Sequence, residues 1–260
     1  MFLEEILSYK KDEIKAKKEQ RSLGSLQQQL SRSQPVRPFS ASLRGDTIRL
    51  IAEVKKASPS KGLLCPNFNP VTLARAYEAA GAAAISVLTD EKFFQGSLDY
   101  LQRVKEETVK TPVLRKDFMI DPYQLVEARV WGADAVLFIV AALNKDDLKD
   151  LHNEAISLDL TPLVEVHNRP ELDLALETGA QVIGINNRDL KTFVVNLATT
   201  YQLLEHIPKE ITVVSESGIK NHTDIQSLAA AGVNAVLVGE SIVTAADPAR
   251  QIRELLGDVS

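Results

Sequence analysis

A single cysteine, Cys65, is all the thiol that this chain of 260 residues holds. No internal disulfide can form, so nothing calls for an oxidising compartment, and with no motif around it Cys65 is expected to be incidental rather than catalytic. Basic excess is lacking as well. Thirty Lys and Arg against 35 Asp and Glu leave a formal charge of −5, which gives no electrostatic footprint for nucleic acid but leaves room for a small anionic ligand in a local basic cleft. Long apolar runs are missing: the stretch ADAVLFIVAAL is far short of the about 20 residues that a membrane-spanning helix needs. The opening MFLEEILSYKKDEI places two acids where a signal peptide would carry a basic region and an unbroken apolar one. The expectation is a soluble, cytoplasmic protein with neither membrane nor nucleic acid as partner. There is no low-complexity tract, and 45% hydrophobic with 25% charged residues suits a globular chain with a sizeable core.

What is present is a repeat. Four segments begin with glycine and run into an apolar stretch: GAAAISVLTD from Gly81, GADAVLFIVA from Gly132, GAQVIGINNR from Gly179 and GVNAVLVGES from Gly232. Their spacing is about twice that of one strand plus one helix, so another strand should lie in each interval. TPVLRKDF, LTPLVEV and EITVVSESG occupy the three gaps, and IRLIAEVKK precedes them all, which makes eight strands. Helical patterns fill 70–80, 97–108, 121–131, 144–158, 169–178, 196–206, 221–231 and 247–256, several opened by an Asn, Asp or Ser cap and four closed by the repeated glycines. Eight strands alternating with eight helices predict an α/β fold of the (β/α)₈ barrel type over residues 48–260. A doubly wound open sheet is the runner-up; it is disfavoured by the evenness of the repeat and by the absence of a G-x-G-x-x-G fingerprint after the first strand. Residues 1–47 stand outside the repeat as an N-terminal extension. Phe2, Leu3, Ile6, Leu7 and Ile14 predict an amphipathic helix, and SRSQPVRPFSASLRGD reads as an extended connector. The helix could either patch the barrel surface or cover its active site.

In such a barrel the chemistry sits at the C-terminal ends of the strands. Charged or polar groups ending apolar runs there are Glu53 and Lys55 on strand 1, Lys116 on strand 3, Glu165 on strand 5, Asn186 and Arg188 on strand 6, and Glu216 on strand 7. Alternate strands contribute to one layer of barrel side chains, so Glu53, Lys55, Lys116, Glu165 and Glu216 should converge. Ion pairs sealing the mouth would explain any one of them. For all five a catalytic role is the better account, because an apolar layer would usually be as stable as a buried ionic one. A second group, Ser217 and Gly218 on strand 7 with Gly239, Glu240 and Ser241 after strand 8, sits where barrels of this kind bind phosphate, and Ser58 could complete it. Tight turns alone would also account for these glycines.

Together these stretches resemble the indole-3-glycerol phosphate synthase family of tryptophan biosynthesis. The resemblance runs through RPFSASLR, IAEVKKASPSKG, AISVLTDEKFFQGSLDYL, PVLRKDFMIDPYQ, PLVEVHN, IGINNRDL, VSESGI and VLVGES, in that order. It implies closure of an anthranilate ring, linked through nitrogen to a ribulose 5-phosphate chain, into an indole with loss of CO₂ and water, using neither metal nor organic cofactor. By this resemblance Lys116 is the general acid of ring closure, while Glu165 and Asn186 orient substrate and relay protons. Lys55 is an acid in dehydration or a clamp on substrate charge, with Glu53 and Glu216 as base and hydrogen-bonding partners. Phosphate would lie on Ser58, Gly218, Gly239 and the backbone of Glu240, with Ser217 beside it. Pro59, Phe94, Phe118, Leu137, Leu190 and Leu237 would line the aromatic pocket, and Arg188 would meet the substrate's carboxylate. The resemblance also turns the N-terminal helix into a cover for the mouth. With nothing fused or coiled-coil-like beyond the barrel, a monomer is expected. Two rivals stand beside this reading: a barrel enzyme using Lys116 as a Schiff-base lysine on a sugar-phosphate carbonyl, and a non-catalytic barrel that binds a phosphorylated metabolite.

Overall fold

A computed structural model describes residues 2–258; the side chain of Phe2, counted above in the amphipathic pattern, lies outside the described residues. Eight parallel strands, β1 (Arg49–Val54), β2 (Ala84–Leu88), β3 (Val113–Lys116), β4 (Ala135–Ile139), β5 (Thr161–Val166), β6 (Val182–Asn186), β7 (Thr212–Glu216) and β8 (Ala235–Val238), form a closed barrel. β1 lies between β2 and β8, with Arg49 opposite Ala235 and Ala52 opposite Val238, and this pairing closes the ring. Nearly every strand residue is buried, because helices cover one face and barrel side chains fill the other; this is why the strands read as continuous apolar runs.

The long helices are α1 (Phe2–Gln20), α2 (Pro70–Ala79), α3 (Leu98–Glu107), α4 (Pro122–Val130), α5 (Lys145–Ser157), α6 (Arg169–Glu177), α7 (Ala198–Leu204), α8 (His222–Ala231) and α9 (Pro248–Leu256). Asn69, Ser97, Asp121, Asn144, Asn168, Asn221 and Asp247 each accept hydrogen bonds from the first turn of the helix that follows, satisfying donors that have no partner within it. The repeated glycines stop the preceding helices with φ of 92° at Gly81, 91° at Gly132, 82° at Gly179 and 103° at Gly232. That left-handed conformation disfavours any side chain, which is the physical origin of the repeat. No helix among the described residues is long and apolar enough to cross a membrane.

Two apolar shells result from the alternation of side chains along each strand. Leu50, Ala52 and Val54 of β1 point outward to join Tyr77, Leu101 and Ile252 from the helices, while Ile51 points inward with Leu114, Leu163 and Val214. The inner shell is plugged from the N-terminal end of the strands by Phe39 and Leu43, both fully buried. These two residues are four apart, and entering the barrel together requires a helical turn, Phe39–Ser42. The connector is therefore not wholly extended as expected: it contains this turn and overlaps a 3₁₀ turn at Leu30–Arg32, and a short helix at Leu23–Gln27 precedes it. Arg37 ties it to the barrel by donating to the carbonyls of Lys105, Thr108 and Thr111, and Arg44 donates to Thr212 Oγ1 and the Glu210 carbonyl.

At the opposite end α1 lies across the mouth. Its buried row is Ile6, Lys10 and Ile14, one helical turn apart. Lys10 is fully buried, with Nζ 2.9 Å from each of Glu13 Oε2, Asp90 Oδ2 and Asp117 Oδ1. Asp117 directly follows the end of β3 and Asp90 lies two residues past the end of β2, so α1 is pinned to the C-terminal rim of the barrel.

Candidate active site

The C-terminal ends of the strands surround a cavity of about 800 Å³. Directly above the apolar layer of Ile51, Leu114, Leu163 and Val214, each of the same four strands advances two residues and presents a charge: Glu53, Lys116, Glu165 and Glu216. Lys116 is the hub. Its Nζ lies 2.6 Å from Glu216 Oε2 and 3.4 Å from Glu165 Oε2. Lys55 pairs with Glu53 at 2.5 Å, and Asn186 Nδ2 donates to Glu165 Oε1 at 3.1 Å. The five charged groups named from sequence are thus in one volume. Room for them comes from glycines on the intervening strands: a Cβ on Gly184 would collide with Glu216 Oε1, and one on Gly239 with Glu53 Oε1.

Burial alone would drive a proton off Lys116, but Glu216, then Glu165 and Glu53, outweigh it and raise its pKa, so an ammonium stands in the cavity throughout the neutral range. The two carboxylates beside it separate. Burial, opposed by Lys116 but reinforced by repulsion from Glu165, pushes Glu216 upward; its Oε1 is buried without a hydrogen-bond partner. In Glu165 burial is overcome by Lys116 and by hydrogen bonds from His167 and Asn186, which hold it low. Burial likewise opposes ionisation of Glu53, and Lys55 followed by Lys116 wins. A poised carboxyl beside a fixed carboxylate and two ammoniums is the separation of acid and base states that proton-transfer catalysis needs.

One wall of the cavity is apolar. Phe94 and Phe118 have ring centroids 6.3 Å apart, and Pro59, Leu137, Leu190 and Leu237 join them. Arg188 also lines the cavity; its Nη1 donates to the Phe193 carbonyl at 3.4 Å, and no carboxylate among the described residues pairs with it. The other end is formed by Ser58, Ser217, Gly218, Gly239, Glu240 and Ser241. Ser217 and Gly218 have φ of 66° and 88°, a sharp turn in the left-handed region that glycine adopts readily. The Glu240 carboxylate, an awkward neighbour for an anion, is engaged by Lys61 from the β1–α2 loop. Every residue singled out in the sequence lies on this one cavity.

Leu3 and Ile6 of α1 line the cavity, in keeping with the cover expected of the N-terminal helix. Two groups at the site do not figure in the sequence reading: His167, whose Nε2 stands 3.2 Å from Glu165, and Lys61, which holds Glu240. For His167 a signal existed: in VEVHN it lies two residues after Glu165 and so points the same way from the strand. For Lys61 there was none, since its partner is 179 residues away.

A closed parallel barrel with paired ammonium and carboxylate groups at its C-terminal mouth, next to apolar and glycine-containing loops, defines an acid–base enzyme of the (β/α)₈ class. Comparison with known sequences is more specific. The family model described as indole-3-glycerol phosphate synthase matches residues 3–255, and the chain belongs to that family. Proteins of that name from Alkaliphilus metalliredigens, 48% identical over 98% of both chains, and from Chloroherpeton thalassium, 49% identical over 94% of this chain and 95% of the relative, are similar along almost the whole length. Among solved structures, a 3-hexulose-6-phosphate synthase superposes with a TM-score of 0.66 at 16% identity, covering 82% of this chain and all of the other. A tryptophan synthase α-subunit from Pyrococcus furiosus gives 0.62 at 16% identity, covering 80% and 98%. These two likenesses concern the fold alone.

Proposed function

We propose that the cavity converts 1-(2-carboxyphenylamino)-1-deoxy-D-ribulose 5-phosphate to indole-3-glycerol phosphate, CO₂ and water, with the roles below. The observation that carries the reading is the Lys116 ammonium held between Glu216 and Glu165, with a second pair, Lys55 and Glu53, in the same layer. The aromatic ring packs on Phe94, Phe118, Pro59, Leu137, Leu190 and Leu237, its carboxylate faces Arg188, and the phosphate lies on Ser58, Ser217, Gly218, Gly239 and the Glu240 backbone.

Atom balance sets the proton traffic. The ring carbon bearing the carboxylate attacks the chain ketone, whose oxygen gains a proton from Lys116. Loss of CO₂ then restores the aromatic ring. Departure of the new hydroxyl as water takes a second proton, and a third is removed from the carbon next to nitrogen. Two protons delivered and one removed leave one drawn from solvent in each turnover. Two acid–base pairs meet this demand: Lys116 with Glu216 and Glu165, and Lys55 with Glu53, in which Lys55 assists departure of the hydroxyl and Glu53 accepts the proton.

The reading extends to a monomer working in the cytoplasm. Large exposed hydrophobics away from the mouth, Leu23, Val109 and Ile156, are scattered, and Cys65 is unpaired. The decisive assay supplies the anthranilate–ribulose phosphate and follows indole fluorescence. Emission should grow with time, and silence from well-folded protein would refute the reading. Gly184→Ala tests the layer from its unreacting side. The added methyl must push Glu216 away from Lys116, and a displacement of this size is expected to lower kcat by about 10²-fold with the fold retained. Circular dichroism and steady-state kinetics check both halves, and unchanged kcat would mean that the position of Glu216 does not matter.

A further inference from the structure

The charged layer holds three carboxylates, Glu53, Glu165 and Glu216, against two ammoniums, Lys55 and Lys116. A third cation stands just behind it. His167 Nε2 is 3.2 Å from Glu165 Oε1 and Nδ1 is 2.9 Å from Glu171 Oε2. Nδ1 is hydrogen-bonded to its carboxylate, while Nε2 lies within ion-pair distance of the other without an aligned hydrogen bond, so two carboxylates flank the ring and both favour its cationic form. Resting on the acid–base reading above, we propose that His167, anchored by Glu171, is a positioning residue that acts as a fixed cation, holding Glu165 charged and aimed at Lys116.

The contacts divide the Glu165 carboxylate into two halves. Oε1 accepts a hydrogen bond from Asn186 and faces the His167 ring at ion-pair distance, while Oε2 is left to Lys116 and the cavity. Glu171 is locked in turn: Oε2 accepts from the backbone N–H of His167 at 2.8 Å as well as from its ring, and Oε1 accepts from Asn168 Nδ2 at 2.6 Å. Asn168 caps α6, so the helix start sets the angle of the imidazole. The charged groups bearing on the ring are Glu165 of β5 and Glu171 of α6, with Lys116 of β3 and Glu216 of β7 beyond Glu165. Burial and the N-terminus of α6 both disfavour a cation here. The hydrogen bonds and charges of Glu165 and Glu171 overcome burial and push the imidazole up to about 10. A protonated Glu165 would lose its attraction for Lys116 and could no longer hold the ammonium that protonates the ketone oxygen. A permanent cation behind it prevents that without occupying the cavity.

The test compares His167→Gln, which retains a hydrogen-bond donor but no charge, with Glu171→Gln at the outer end of the chain. His167→Gln is expected to lower kcat about 10-fold or more with KM little changed, and to move the acid limb of the kcat profile to higher pH, because Glu165 then takes up a proton more readily. Glu171→Gln should shift both in the same direction by less. Nitrogen NMR of the wild-type ring should show both nitrogens protonated at about pH 8.5, two units above where an ordinary histidine titrates. A neutral ring at that pH overturns the proposal, as does a His167→Gln enzyme with wild-type kcat and pH profile. Should His167→Gln fail to fold, Glu171→Gln and the NMR measurement decide. A wild-type enzyme silent in the fluorescence assay refutes the functional reading instead, and the ring signal still reports on His167.

Discussion

Lys116→Ala is expected to lower kcat by about 10²–10⁴-fold, the range that a positioned proton donor contributes, while KM shifts only a few-fold. The split follows from where binding and chemistry lie. In the proposed reading the ring is held by the apolar residues around Phe94 and Phe118 and the phosphate by the turns at Gly218 and Gly239, all of which line the cavity, and Lys116 belongs to neither group. The variant also leaves Glu165 and Glu216 facing each other without the cation between them, so one of the two carboxyls takes up a proton and the charge balance of the layer changes. Lys116→Arg divides the role further. It keeps the charge, but a guanidinium gives up its proton far less readily than an ammonium, so an enzyme that needs proton transfer stays impaired whereas one that needs only charge recovers. The same surroundings argue against a Schiff base. That chemistry starts from a neutral amine, and the three glutamates keep Lys116 charged. Borohydride added during turnover should therefore leave no adduct on the protein, and an adduct at Lys116 would replace the acid role with a covalent one.

The second large effect is on stability. Lys10→Met replaces a fully buried cation with an apolar side chain of similar length and leaves Glu13, Asp90 and Asp117 without the charge they share. Removing one member of a buried ionic group costs about 3–5 kcal/mol, most of it from the charges left behind. Chemical denaturation at neutral pH measures it. The pH dependence has a defined sign. Burial raises the Asp117 carboxyl, but Lys10, then Arg115, reverse this and hold it well below the usual carboxylate range. Its contribution to stability is present above about pH 4, where the unfolded carboxyl is ionised, and is lost as pH falls toward the folded value. Lys10 is shifted the other way: burial lowers it, but Asp117, Asp90 and Glu13 raise it overall, so its contribution persists at neutral and acid pH and is lost only above the ordinary lysine range. The gap between wild type and Lys10→Met should therefore be widest between about pH 5 and 9 and narrow in acid. A variant as stable as wild type at pH 7 would mean that α1 is held by Ile6 and Ile14 alone.

What the sequence made legible and what it hid have physical causes. Parallel strands buried on both faces read as apolar runs, and glycines forced into the left-handed region mark the helix ends, so the barrel was visible. A charge ending an apolar run stands out, so Glu53, Lys116, Glu165 and Glu216 could be named before their distances were known. Lys10 was hidden next to Lys11. Only its place in the row from Ile6 to Ile14 marks it as buried, and a lysine there looks at first like a break in the amphipathic pattern. The plug formed by Phe39 and Leu43 was missed because two prolines nearby suggest extended chain. The antiparallel pairing of Ala57–Ser58 with Gly62–Leu63 interrupts SPSKG, where composition indicates only a turn. Partners distant in sequence, such as Lys61 and Glu240, leave no local trace.

The ring closes by joining its first strand to its last, and this gives the enzyme a timetable. Glu53 and Lys55 are made early, on β1, yet the wall behind Glu53 is Gly239, which follows β8. A growing chain that has reached Leu228 already carries Lys116, Glu165 and Glu216, but one flank of β1 is bare and the second acid–base pair has no enclosure. A chain stopped there would be an open sheet with exposed strand edges, a form prone to pairing with its own copies. The second acid–base pair is enclosed only when the last strand pairs with the first.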